Sequence, residues 1–324
     1  MMLDPQIADI IETLDGGFPP VQTMTGEQAR ATIRSRFVAP TNPEPVRRVT
    51  DRIVEGPGGG VPVRIYHPAG APDAMLPGLV YAHGGGFVFC DLDSHDGLCR
   101  DLANRLGAVV VSVNYRLAPE HRWPAAAEDV FAVTRWVADN CIALGIDAAR
   151  IAVGGDSAGG NLAAVTALLT RDRGGPSLRA QLLLYPMVTP DFTTESYRLY
   201  GRGFYNPAPA LRWYWDQYAP HEADRSDPYV SPIHADLRGL PPAVMIIAGC
   251  DPLRDEGVAF AEALSAAGVP TRVRRFDGGI HGFMTMPSLT IAQDARAQLC
   301  RDATDLLADS AVPVTGIGGV GHPA

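Results

Sequence analysis

Three residues of this chain could together make an oxygen nucleophile: Ser157, Asp251 and His281. Ser157 lies in Gly154-Gly155-Asp156-Ser157-Ala158-Gly159-Gly160-Asn161. It follows the apolar run Ile151-Ala152-Val153 and precedes Leu162-Ala163-Ala164-Val165, which reads as a helix. A Gly-x-Ser-x-Gly match is informative in that context of strand, sharp turn and helix, because the turn lifts the serine clear of the sheet. Gly155 and Gly159 flank the turn where side chains would collide with neighbouring backbone. The helix start then aims its free N–H groups at the reacting centre.

A serine hydroxyl is a weak nucleophile and needs an adjacent base. On such a scaffold the partners follow in the order serine, acid, histidine. His221 and His234 fall in an irregular section, whereas His281 stands in Gly278-Gly279-Ile280-His281-Gly282-Phe283, just after the strand-like run Val273-Arg274-Arg275-Phe276. His281 is therefore the expected base. Asp251 directly follows the buried run Ala243 to Cys250, at the end of a parallel strand where site residues gather, and is the expected acid. Asp277 competes by its nearness to His281 but reads as a loop-structuring residue. Asp255 and Glu256 suit the start of a helix.

A second glycine run, His83-Gly84-Gly85-Gly86-Phe87, follows the strand-like Leu79-Val80-Tyr81-Ala82. Glycines let backbone N–H groups approach a substrate closely. The expected donors to a developing oxyanion are the N–H groups of Gly84, Gly85 and Ala158. The run is not a phosphate loop: no GxGxxG precedes a helix, and the chain has no lysine, all 27 basic residues being arginines. That absence also excludes a Schiff base and a serine–lysine pair.

These residues need a scaffold that gathers strand ends. From Leu79 onward short apolar runs alternate with helical segments, which predicts an α/β fold with a mainly parallel sheet and helices on both faces. Two earlier runs, Val46 to Glu55 and Val61 to His67, flank Gly-Pro-Gly-Gly-Gly and predict a hairpin. Residues 1–45 read as N-terminal helices and residues 46–308 as the main domain. An insertion at about 187–242 is rich in aromatic residues and is expected to cover the site. Residues 309–324 have no periodicity and read as a disordered tail.

The remaining composition excludes several classes. Of the 324 residues, 46% are hydrophobic and 19% charged, and the net charge is −9, which argues against nucleic acid or an anionic membrane as partner. Five scattered cysteines form no CxxC pair, so reduced thiols fit better than a disulfide framework. The eight histidines show no metal-ligand spacing, and no metal is expected. The N-terminus lacks a basic n-region, no clean membrane span is found, and a cytoplasmic location is expected.

His83-Gly84-Gly85-Gly86-Phe87, Gly155-Asp156-Ser157-Ala158-Gly159-Gly160, Asp251-Pro252-Leu253-Arg254-Asp255-Glu256-Gly257 and Ile280-His281-Gly282-Phe283 occur in that order. With Asn114-Tyr115-Arg116-Leu117-Ala118-Pro119-Glu120, they resemble the hormone-sensitive-lipase group of α/β-hydrolases, especially its bacterial esterases, over about residues 45–308. The resemblance implies an eight-stranded α/β-hydrolase fold with a helical cap. It implies a cofactor-free carboxylesterase acting on small esters with short to medium acyl chains, with Ser157, Asp251 and His281 as triad and Gly84, Gly85 and Ala158 as oxyanion donors. His83, Gly86, Asp156, Gly155 and Gly159 are expected to support the site, with Glu120 and Asp129 beneath it. The pocket is sought among Phe87, Phe204, Trp213, Trp215 and Phe283. Amide or acetyl-group hydrolysis by the same residues is the alternative, and a non-catalytic receptor a remoter one. A monomer or a homodimer would fit, the latter through an edge strand near Thr271.

Overall fold

Strands that bury both faces have to sit in the middle of a sheet, and the apolar runs do so. The computed structural model describes residues 2–39, 41–70 and 74–308; the expected tail at 309–324 lies outside them. In chain order the elements are α1 (Pro5–Gly17), α2 (Gly26–Arg36), β1 (Arg48–Gly56), β2 (Gly59–His67), β3 (Leu76–Ala82), α3 (Asp96–Leu106), β4 (Val109–Val113), α4 (Ala125–Asp139), α5 (Cys141–Leu144), β5 (Ile146–Asp156), α6 (Ala158–Asp172), β6 (Ala180–Leu184), α7 (Glu195–Tyr200), α8 (Ala208–Tyr218), β7 (Ala243–Cys250), α9 (Arg254–Ala266), β8 (Thr271–Ile280) and α10 (Thr290–Leu307).

The eight strands form one sheet in the order β1-β2-β4-β3-β5-β6-β7-β8. β1 and β2 make the expected antiparallel hairpin, and β2 also runs antiparallel to β4. From β4 across to β8 every pairing is parallel. Successive side chains of a strand point to opposite faces. Val80 and Ala82 of β3 accordingly join one core with α4, α6 and α9, while Leu79 and Tyr81 join a second core with α3 and α10.

The strand order reverses between β3 and β5: the chain leaves β3 for β4 on one side, then crosses to β5 on the other. Ligands of open α/β sheets bind at such a switch point, beyond the carboxyl ends of the strands. Ala82 pairs with Gly155 there, so the two glycine-rich loops leave the sheet side by side.

The N-terminal helices start on local signals. Pro5 opens α1, with the Asp4 carboxylate accepting from the Gln6 N–H, and Thr25 and Gln28 form a reciprocal capping box on α2. Both helices are anchored near the switch point. The Asp4 N–H donates to the Gly278 carbonyl beside His281, and Arg30 of α2 donates to the carbonyls of Val88 and Ala118 and to the Glu120 carboxylate. Glu120 is thus a link to α2 and not a support beneath the site. Asp129, fully buried, receives three side-chain bonds and the backbone N–H of Arg116 and fixes the loop that follows β4.

Candidate active site

The turn at Ser157 is dictated by close packing. Ser157 has φ 56° and ψ −117°, a conformation a side chain rarely adopts, and directly precedes α6. A β-carbon on Gly159 would lie 2.0 Å from the Ala82 carbonyl oxygen, and one on Gly155 would lie 2.3 Å from that of Gly159. Only hydrogen fits at either position. The Ser157 N–H donates to the Leu184 carbonyl, and the Ser157 carbonyl accepts from Met187, which ties the turn to the exit of β6.

Three loops then meet. His281 Nε2 is 2.9 Å from Ser157 Oγ, and His281 Nδ1 is 2.7 Å from Asp251 Oδ2. An ionised carboxylate only accepts, so Nδ1 carries the proton and Nε2 is free to accept from the serine hydroxyl. The other Asp251 oxygen accepts from the Leu253 N–H, which fixes the carboxylate plane. Asp251 is fully buried, and Ser157 and His281 are nearly so. Asp277 points elsewhere, to Arg275, and Glu256 accepts from the backbone N–H of Val188. β8 runs on through Gly278 and Gly279 to Ile280, so His281 leaves the end of a strand and not the middle of a loop.

The oxyanion loop differs from expectation at one residue. The Gly84 N–H donates to Asp156 Oδ1 at 2.9 Å and is committed to it. The next two glycines have φ of +117° and +59°, a backbone that side chains rarely adopt. The N–H groups of Gly85 and Gly86 meet no acceptor among the described residues. Ala158 is the first residue of α6, where an N–H has no intrahelical partner. Gly84 is therefore an anchor of the loop, and Gly86, expected only as a support, presents a free donor.

Asp156 is the anchor's other half. Its buried carboxylate receives the Tyr81 hydroxyl at 2.8 Å and the Gly84 N–H, with His95 Nε2 3.2 Å away. Burial pushes its pKa up, but the His95 ring and the Tyr81 hydroxyl outweigh this and hold it below the ordinary carboxylate range. His83 braces the loop from beneath: Nδ1 bonds the Gly84 carbonyl, the ring stacks on Tyr115 at 4.3 Å, and the Tyr115 hydroxyl donates to the His83 carbonyl. Burial and the nearby His95 lower its pKa to about 4, so the ring is neutral near pH 7. His95 and Tyr81 escaped the sequence reading. The only hint was a second histidine twelve residues after His83, at the start of a helix.

Ser157 and His281 open into a cavity of about 110 Å³ walled by Phe18, Phe89, Cys90, Tyr205, Tyr214 and Thr285, among others. The aromatic residues expected there are elsewhere. Phe87 is fully buried and stacks on Tyr218 at 3.8 Å, and Trp215 is buried beside it. Trp213 packs in the same core, Phe204 against Tyr200, and Phe283 under Tyr185. In α8 it is Tyr214, between the two tryptophans, whose ring covers Gly86. The N-terminal segment and the insertion meet at this cavity: Phe18 follows α1 and meets Tyr205 of the insertion edge to face at 5.4 Å, while Asp15 accepts from the Tyr205 N–H. Among the described residues no group of three or more His, Cys, Asp or Glu could hold a metal ion, and no helix is long and apolar enough to cross a membrane.

Comparison with known proteins gives a consistent picture. The family described by the alpha/beta hydrolase fold matches residues 79–285. Esterase LipI of Mycobacterium tuberculosis is 44% identical over 264 residues, covering 80% of this chain and 81% of that protein. An ethyl acetate hydrolase of Pseudomonas putida is 38% identical over 300 residues, covering 89% of this chain and 94% of its own. Among solved structures, the hyperthermophilic esterase of the archaeon Pyrobaculum calidifontis superposes with a TM-score of 0.87 at 42% identity, over 95% of this chain and 100% of that one.

Proposed function

Since the chain belongs to the alpha/beta-hydrolase family, in its hormone-sensitive-lipase-like group, and is a carboxylic ester hydrolase, we propose that it cleaves short- to medium-chain acyl esters through an acyl-enzyme on Ser157. The observation that carries the mechanism is the unbroken relay from Ser157 Oγ through the His281 ring to Asp251, at 2.9 and 2.7 Å. His281 Nε2 takes the hydroxyl proton as Ser157 Oγ attacks the ester carbonyl. Asp251 holds the ring in the required tautomer and stabilises the imidazolium that forms. The carbonyl oxygen, now negative, is met by the N–H groups of Gly85, Gly86 and Ala158, each worth about 3–4 kcal/mol when such a donor is removed. Collapse returns the proton from His281 to the departing alcohol. Water, deprotonated by the same nitrogen, then attacks the acyl-serine and releases the acid.

The small cavity beside Ser157, of about 110 Å³, supports substrates with short to medium acyl chains. The test is a p-nitrophenyl ester series of increasing acyl length, with Ser157→Ala and His281→Ala as controls. Hydrolysis should vanish in Ser157→Ala, and kcat should fall steeply in His281→Ala. Turnover surviving in Ser157→Ala, or a wild-type kcat in His281→Ala, contradicts the reading.

A further inference from the structure

We propose that a second cavity, behind Cys90, is a distal subsite for an unbranched, uncharged hydrocarbon chain of the ester, and that Cys90 sets the length of chain accepted. This rests on the ester-hydrolase reading above. The second cavity, of about 230 Å³, lies between α2 and the loop that follows the oxyanion glycines; Ile33, Phe37 and Leu117 line it together with the charged Arg30, Arg34, Asp91 and Asp93 and the neutral polar Ser94 and Asn114. Cys90 is the residue that lines both this cavity and the one at Ser157. Each cavity alone is smaller than the roughly 300 Å³ at which small-molecule sites begin, but joined they exceed it.

The backbone at the partition is unusual. Cys90 has φ +69°, a left-handed conformation in which glycine is at ease and a side chain is strained. Strain of this kind persists only where the surroundings enforce it, and it clusters at ligand clamps. Here it holds Cys90 at the boundary of the two cavities, both of which this residue lines.

The chemistry of the far cavity selects the chain. Arg30 is engaged by Val88, Ala118 and Glu120, and Arg34 by Asp91. Asp93, beside them, is held by Arg64. Every charged side chain that lines it is already opposed, so a charged chain end would gain no partner there, while Ile33, Phe37 and Leu117 offer apolar surface. Burial pushes the Cys90 thiol up to about 12, so it stays a neutral, soft wall that an alkyl chain can pass.

The experiment measures kcat/KM for p-nitrophenyl acetate and decanoate and reads their ratio. Cys90→Gly removes the partition and relaxes the backbone, and should raise the decanoate-to-acetate ratio by about tenfold. Ile33→Trp fills the far cavity from α2 and should lower the ratio by about tenfold in wild type and in the Cys90→Gly background. Thermal melts check that both variants are folded. A ratio within about twofold of wild type in either folded variant overturns the subsite. If wild-type hydrolysis of both esters proves independent of Ser157, it is the ester-hydrolase reading that fails instead.

Discussion

Asp156 should prove necessary to catalysis although no step of the reaction passes through its carboxylate. Its carboxylate gathers the Tyr81 hydroxyl, the Gly84 N–H and His95 in a buried site. In Asp156→Ala the Tyr81 and Gly84 donors lose their acceptor, at about 1–3 kcal/mol each, so a stability loss of roughly 2–6 kcal/mol is expected. At about 2 °C per kcal/mol for a chain of this size, Tm should fall by roughly 4–12 °C. Asp156→Asn keeps an oxygen for both donors and loses only the charge, so it should cost about 1–2 kcal/mol. The catalytic effect is separate. With Gly84 unanchored, Gly85 and Gly86 no longer hold the positions an oxyanion needs. Losing the equivalent of one donor lowers kcat by about 10²-fold. KM for p-nitrophenyl acetate should change little, because the oxyanion exists only in the transition state. Melts by circular dichroism and steady-state kinetics on the two variants suffice. A folded Asp156→Ala with wild-type kcat would refute the idea that this carboxylate positions the oxyanion loop.

Other outcomes follow from the same geometry. Asp251→Asn removes the charge that stabilises the His281 cation and should lower kcat by about 10⁴-fold with the fold intact; a loss below about tenfold would contradict the relay. Gly159→Ala drives a β-carbon into the Ala82 carbonyl and should cost about 3 kcal/mol or more, whereas Gly97→Ala, with open space at the same atom, should be neutral or stabilising by about 0.5 kcal/mol in denaturant melts; equal effects would refute the steric account. His83 titrates at about 4 in the folded protein, against roughly 6.5 when unfolded. Its folded pKa is depressed, so the unfolded chain takes up the proton first as pH falls. About 3 kcal/mol of stability should then be lost between pH ~6.5 and ~4, and no more below. His83→Gln should flatten that slope in guanidinium melts, and an unchanged slope would exclude His83 as its source.

What the sequence disclosed and what it withheld divide along a physical line. The turn at Ser157 was legible because its cause is local: a strand, a helix and two glycines within five residues. Asp251 and His281 were legible because parallel strands deliver their ends to one edge of the sheet. Gly84 was misassigned because which N–H of a glycine run faces the site depends on φ at Gly85 and Gly86 and on a carboxylate arriving from β5. The aromatic wall was missed for a related reason. Neighbouring residues of a helix point about 100° apart, so choosing Tyr214 over Trp213 and Trp215 requires the orientation of α8 over the sheet. Spacing alone does not contain it. Nor does it contain the left-handed φ of Cys90, which no residue type announces.

The central claim, that Ser157 is a nucleophile activated by His281, is tested most directly by covalent capture. Intact-mass spectrometry after treatment with an activated organophosphonate ester should show one phosphonyl adduct, and peptide mapping should place it on Ser157. Labelling should disappear in Ser157→Ala and slow strongly in His281→Ala. An unmodified wild-type protein, or an adduct that persists in Ser157→Ala, would contradict the account.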